Sequence, residues 1–125
     1  MHEMGIANSI LEAVAAEVRR YPGSRASKVG VRIGELTAID AESLRFCFDA
    51  LAHDTDLEGL QLQIELCSRR HSCDECGDIF KVVDYEFACP KCGCAHTRFI
   101  SGDELELAYL EVKEHEPSAL AEKSS

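Results

Sequence analysis

Apolar residues near the start of the chain recur at three- and four-residue steps: Ala7, Ile10, Leu11, Val14 and Val18. That spacing predicts an amphipathic helix from Met4 to Arg20, with Asn8, Glu12, Glu17, Arg19 and Arg20 on its polar side. Tyr21-Pro22-Gly23 ends it, because proline cannot continue the hydrogen-bond ladder and glycine accepts the turn. The period then falls to two. From Lys28 to Leu36, Val29, Val31 and Ile33 alternate with Lys28, Gly30, Arg32 and Gly34, which predicts a strand. Gly30 and Gly34 read as bulges or bends, with close approach of another chain segment as the alternative. Asp40 stands where an N-cap belongs, and Leu44, Phe48 and Leu51 trace a second helix to about His53. Cys47 lies near that stripe and reads as a small buried hydrophobe. His53 reads as a favourable cation at the helix C-terminus.

Gln61 to Glu65 alternates with Leu60, Leu62, Ile64 and Leu66 facing inward, a second strand. A third runs from Glu104 through Leu105, Leu107 and Tyr109, with Leu110 and Val112 shifting the phase at a bulge. Between these two strands, Ile79–Val83 and Tyr85–Phe87 read as short strands of a separate module. The acidic stretch from Glu114 to Ser125 is expected to form at most a frayed helix. The fold class this predicts is α+β: a three-stranded sheet covered by two helices and interrupted by an inserted, zinc-ribbon-like four-cysteine domain. The corresponding boundaries are residues 1–68 and 98–125 for the α/β domain and 69–97 for the insert.

The insert carries the strongest chemical signal. Cys73-Asp74-Glu75-Cys76 and Cys89-Pro90-Lys91-Cys92 are two C-x-x-C pairs, each followed by a glycine, with Gly77 to Ala88 between them. Each pair can turn two sulfurs toward one point, and zinc takes four tetrahedral donors. Cys73, Cys76, Cys89 and Cys92 therefore form a closed structural Zn(II) site, with no open position for catalysis. A redox dithiol explains one pair but not two matched ones. Cys94, His71 and His96 lie beside this set and read as spectators; exchange of one of them into the site is the alternative.

Composition narrows the function. The 125 residues suffice for one modest core plus a metal-held module. A net charge of -10 opposes binding to nucleic acid, where Lys and Arg must neutralise phosphate. Seven cysteines without a signal-peptide pattern point to a reducing compartment and metal ligation, hence the cytoplasm. No apolar run has the length of a membrane span.

The first residues add a second metal chemistry. In Met1-His2-Glu3 a terminal amine, backbone amide nitrogens and an imidazole together offer several nitrogens to an ion that favours planar coordination, Ni(II) or Cu(II). Taken alone, a histidine at position 2 is most often an ordinary residue of a frayed terminus.

Met1-His2-Glu3, the strand-helix pattern, the paired Cys73/Cys76 and Cys89/Cys92, and Ser101-Gly102-Asp103-Glu104-Leu105 together resemble the HypA/HybF family of nickel metallochaperones for [NiFe] hydrogenase maturation. The resemblance runs to about Lys113. It implies a non-enzymatic protein with two metals: transferred Ni(II) held by His2, with the Met1 amine and backbone nitrogen near Glu3, and structural Zn(II) on the four cysteines. It also implies a HypB-type nickel GTPase and the hydrogenase large subunit as partners, joined in some organisms by urease maturation proteins. The rival reading is a zinc-stabilised protein-protein adaptor without a nickel site.

Overall fold

The computed structural model describes residues 3–114; Met1, His2 and the acidic tail from His115 onward lie outside the described residues. The element order is α1 (Glu3–Val18), β1 (Ser24–Gly34), a 3-10 turn (Glu35–Thr37), α2 (Ala41–Ala52), β2 (Gln61–Cys67), β3 (Arg70–Cys73), β4 (Ile79–Lys81), β5 (Thr97–Ser101) and β6 (Leu105–Glu114). The strands form two three-stranded sheets, ordered β2-β1-β6 and β4-β3-β5. The architecture is thus the expected α+β one, with two helices, a sheet of three strands and a cysteine module inserted between its second and third strands.

The chain divides into two compact units. One contains Asp40–Gln63 with residues 3–30 and 107–114, and so both helices. There α1 and α2 pack together, burying Ala7, Ile10, Leu11 and Val14 of α1 and Leu44, Phe48 and Ala52 of α2. The helical periodicity is what places these residues on one stripe. Asp40 caps α2 as its position predicts, its carboxylate accepting from the Ser43 N–H at 3.1 Å.

The other unit contains Val31–Ile39 and Ile64–Glu106. Its sheet is centred on β3, antiparallel to β4 with His71 opposite Phe80, and to β5 with His71 opposite Phe99. β4 falls within the strand expected over Ile79–Val83, whereas β3 and β5 are absent from the sequence-based expectation. β3 alternates inward and outward, but its inward residues are His71 and Cys73 rather than aliphatic ones. The expected strand over Tyr85–Phe87 is replaced by a tight turn, in which Asp84 (φ 53°) and Tyr85 (φ 62°) are both left-handed and Val83 bridges Glu86.

Gly34 and Gly102 meet within this unit. A Cβ on Gly34 would overlap the carbonyl of Gly102, and one on Gly102 (φ 128°) would stand 2.7 Å from the Arg69 Cα. In the helical unit, a Cβ on Gly30 would overlap the Tyr109 ring. Gly30 and Gly34 are therefore close-approach positions, because what lies against them leaves no room for a side chain.

Candidate metal centre

The two C-x-x-C-G segments fold into the same turn. In the first, the Cys73 N–H donates to the Asp78 carbonyl (2.9 Å) and the Gly77 N–H to the Cys73 carbonyl (3.0 Å). In the second, the Cys89 N–H donates to the Cys94 carbonyl (2.9 Å) and the Gly93 N–H to the Cys89 carbonyl (2.8 Å). Gly77 and Gly93 have φ of 77° and 80°, the left-handed conformation that glycine adopts without a Cβ clash. Sequence spacing and backbone conformation are here the same fact.

The two turns face each other. Ligand atoms of Cys73, Cys76, Cys89 and Cys92 all lie within 4.8 Å of one another. The Cys73–Cys92 sulfurs are 3.5 Å apart and the Cys76–Cys89 sulfurs 3.7 Å. Zinc–thiolate bonds of about 2.3 Å on a tetrahedron set edges of about 3.8 Å, close to these two distances, so the four converging sulfurs suit a zinc ion. Cys73 and Cys89 are buried beside Phe80 and Val82, with Cys94 packed against them, while Cys76 and Cys92 are exposed.

Electrostatics point the same way. Backbone N–H groups of Cys76 and Glu75 donate to the Cys73 sulfur (3.4 and 3.3 Å), and the Cys76 bond contributes most to pulling that thiol down to about 6. At Cys92 the Cys94 N–H is the largest single influence and favours ionisation, but the Cys73 sulfur, desolvation and the Cys89 and Cys76 sulfurs together outweigh it, and the thiol rises to about 12. Clustered thiols resist ionising together without a cation, and a divalent ion removes that conflict.

The neighbouring candidates are otherwise engaged. Cys94 occupies in the second turn the place Asp78 holds in the first, which explains its backbone role; its sulfur accepts from the His96 N–H at 3.3 Å. His71 is buried and has both ring nitrogens in use. Arg69 Nε–H donates to Nε2 (3.1 Å), so Nδ1–H donates to Thr97 Oγ1 (3.0 Å), which donates to the Phe87 carbonyl (2.7 Å). The ring stacks on Phe87, with centroids 5.5 Å apart. Burial, and then the Arg69 charge, lower its pKa and keep it neutral. Neither His71 nor His96 is among the four clustered ligands.

At the other end of the chain, Met1 and His2 lie outside the described residues, and Glu3 is the first residue of α1. Its Oε2 accepts from the Asp40 N–H at 3.0 Å, tying the start of α1 to the cap of α2 and lowering the Glu3 pKa. Sequence reasoning assigned Asp40 only to capping; nothing in its spacing announces the Glu3 contact. His53 caps the C-terminus of α2, with Nδ1 2.9 Å from Glu58 and Nε2 3.5 Å from Asp54, a local pairing that accounts for all three exposed side chains.

Residues 1–112 match the family model described as "Hydrogenase/urease nickel incorporation, metallochaperone, hypA". The hydrogenase maturation factor HypA of Desulfatibacillum aliphaticivorans is 39% identical over 126 residues, covering 100% of this chain and 97% of the relative. The HypA of Pelodictyon phaeoclathratiforme is 40% identical over 114 residues, covering 91% and 97%. In fold, the chain is similar to the solution structure of the Ni metallochaperone HypA from Helicobacter pylori, with a TM-score of 0.59 over 89% of this chain and 97% of that one at 23% identity. Among the described residues no helix is long and apolar enough to cross a membrane. The chain belongs to the HypA family of hydrogenase and urease nickel-incorporation metallochaperones.

Proposed function

We propose that this chain binds Ni(II) at its N-terminus through His2, the Met1 amine and the backbone nitrogen of Glu3, and delivers it to the [NiFe] hydrogenase large subunit. The observation that carries the reading is the family match, which begins at the first residue and so includes Met1-His2-Glu3. The Glu3 contact supports a backbone role for that residue, since its carboxylate is committed to the Asp40 N–H. Nickel is cargo in this scheme. A terminal donor set can be taken apart one ligand at a time by an incoming acceptor, which a closed cage resists.

Cys73, Cys76, Cys89 and Cys92 hold structural Zn(II), which supplies charge neutralisation for the thiolates and folding free energy for a module too small to have its own large core. Geometry keeps the metals apart: planar nitrogen donors favour nickel, and a tetrahedral thiolate set favours zinc. Residues 69–97 act as the zinc domain, and residues 1–68 and 98–125 as the nickel domain. The protein works in the cytoplasm without catalysing a reaction. Its partners are a HypB-type nickel GTPase, the hydrogenase large subunit and, where present, urease maturation proteins.

Extending the chain ahead of Met1 tests the terminal amine, because the extension converts it to an amide. The extended protein should keep zinc and bind nickel more weakly. Undiminished nickel affinity would remove the amine from the site. A zinc-loaded native protein that takes up no nickel in titration would favour the adaptor reading.

A further inference from the structure

The four clustered cysteines are not held alike. Cys73 and Cys89 are 3% and 2% exposed and pack with Phe80 and Val82, whereas Cys76 and Cys92 are exposed. Burial alone leaves two accessible corners, one on each turn.

The turns differ in what ties them down. The first, residues 73–77, begins in β3, where Cys73 pairs with Thr97 of β5. Past that pairing the Asp74 N–H donates to the His96 carbonyl (3.0 Å), and the Asp74 carboxylate accepts from Arg98 (2.9 Å). The loop that carries Cys76 is thus clamped to β5 and to the chain entering it. The Glu75 and Cys76 N–H groups also close onto the Cys73 sulfur.

The second turn, residues 89–93, lies in no strand. Its two main-chain hydrogen bonds, Cys89 N–H to the Cys94 carbonyl and Gly93 N–H to the Cys89 carbonyl, stay within the turn. Cys89 is anchored by its burial. Among the described residues Cys92 has one tie to the sheet, the contact of its sulfur with that of Cys73, and no ion pair or main-chain hydrogen bond joins Pro90, Lys91 or Cys92 to a strand. Exposed segments with few hydrogen bonds to their surroundings open first, and access governs which thiolate meets a reagent.

We infer that Cys92 is the labile corner of the site, the sulfur at which thiol-seeking electrophiles first gain entry, ahead of the equally exposed but clamped Cys76. The inference rests on the proposal that the four cysteines hold Zn(II). With iodoacetamide the Cys92 sulfur forms a bond to the methylene carbon, the carbon–iodine bond breaks, and iodide leaves with the electron pair. The thioether that results has no thiolate charge to offer a cation.

The test treats the full-length, zinc-loaded protein with less than one equivalent of iodoacetamide and locates the label in singly modified molecules by fragment mass spectrometry. Cys47, Cys67 and Cys94 lie outside the ligand set and are scored separately by position. Zinc content is measured first: a protein that holds no zinc overturns the zinc proposal and this inference with it. With zinc bound, labelling of Cys92 several-fold above Cys76, and little at Cys73 or Cys89, is expected. Equal labelling of Cys76 and Cys92, or a first label at any of the other three ligands, overturns the inference while leaving the zinc proposal standing. Arg98→Ala removes the clamp and should raise Cys76 labelling about threefold, the reach of an exposed ion pair, with Cys92 unchanged. An equal rise at both, or none at Cys76, contradicts the clamp; Asp74→Asn makes the same comparison if Arg98→Ala loses zinc.

Discussion

Gly34 and Gly102 stack backbone against backbone, and the Gly102 carbonyl that fills the space beside Gly34 also accepts the Leu36 N–H at 2.7 Å. The Gly34 N–H in turn donates to the Glu104 carbonyl at 2.7 Å, and the Arg69 N–H to Glu35 Oε1 at 3.0 Å. The chain enters and leaves the cysteine module at these residues, and its path there depends on missing side chains.

Alanine at Gly34 or Gly102 is therefore expected to cost about 2 kcal/mol or more, since backbone rather than a side-chain tip must yield. Gly5→Ala is the matched control: a Cβ there meets nothing within 4 Å, and the helix gains about 0.5–1 kcal/mol. Gly30→Ala falls between them, because the Tyr109 ring can swing outward. Urea unfolding of the four variants checks the order.

Cys76→Ser is expected to abolish stoichiometric zinc binding, whereas Cys94→Ser retains it. The Cys94 carbonyl, which survives that change, performs its main role in the turn. Zinc content, together with the thiolate-to-metal absorption of the cobalt-substituted protein, separates the two. Loss of zinc in Cys94→Ser would place that sulfur in the site.

Glu3 and Asp40 both have pKa values below their ordinary ones. At Glu3 the chief cause is the Asp40 N–H, and at Asp40 the Ser43 hydroxyl. Depressed carboxylate pKa values contribute stability that is fully present above the unfolded values, about 4.3 and 3.9, and is lost as pH falls through the lower folded ones. Thermal melts of Glu3→Gln should lie a few degrees below native at pH 6 and converge with it below about pH 3. A constant difference across that range would show that the Glu3 charge does not matter.

Phe48 is fully buried in α2, and Phe48→Ala is expected to cost about 3–5 kcal/mol, enough to unfold a marginal domain. Circular dichroism under denaturant measures it.

The helices were legible because apolar residues mark their buried faces: Ile10, Val14, Leu44 and Phe48 are where the periodicity puts them. In the first sheet Val29, Val31, Ile33 and Leu62 follow the alternation, but Leu66, expected inward, is 67% exposed. The module was legible as chemistry but less so as structure. Its spacing announced four converging cysteines, yet β3 buries His71 and Cys73, which a hydrophobic count does not read as a strand face. Tyr85 misleads in the opposite direction, an aromatic in an apolar run that sits in a left-handed turn and is 84% exposed. Gly34 was ambiguous for a physical reason: its partner, Gly102, is remote in sequence, and close approach cannot be read from one strand. The Glu3–Asp40 contact is equally long-range.

The most direct measurement is nickel and zinc content, determined separately, of the His2→Ala protein after saturation with both ions. Loss of nickel with a full complement of zinc is the predicted result. Full nickel retention, or zinc lost along with nickel, would contradict a terminal nickel site independent of the four cysteines.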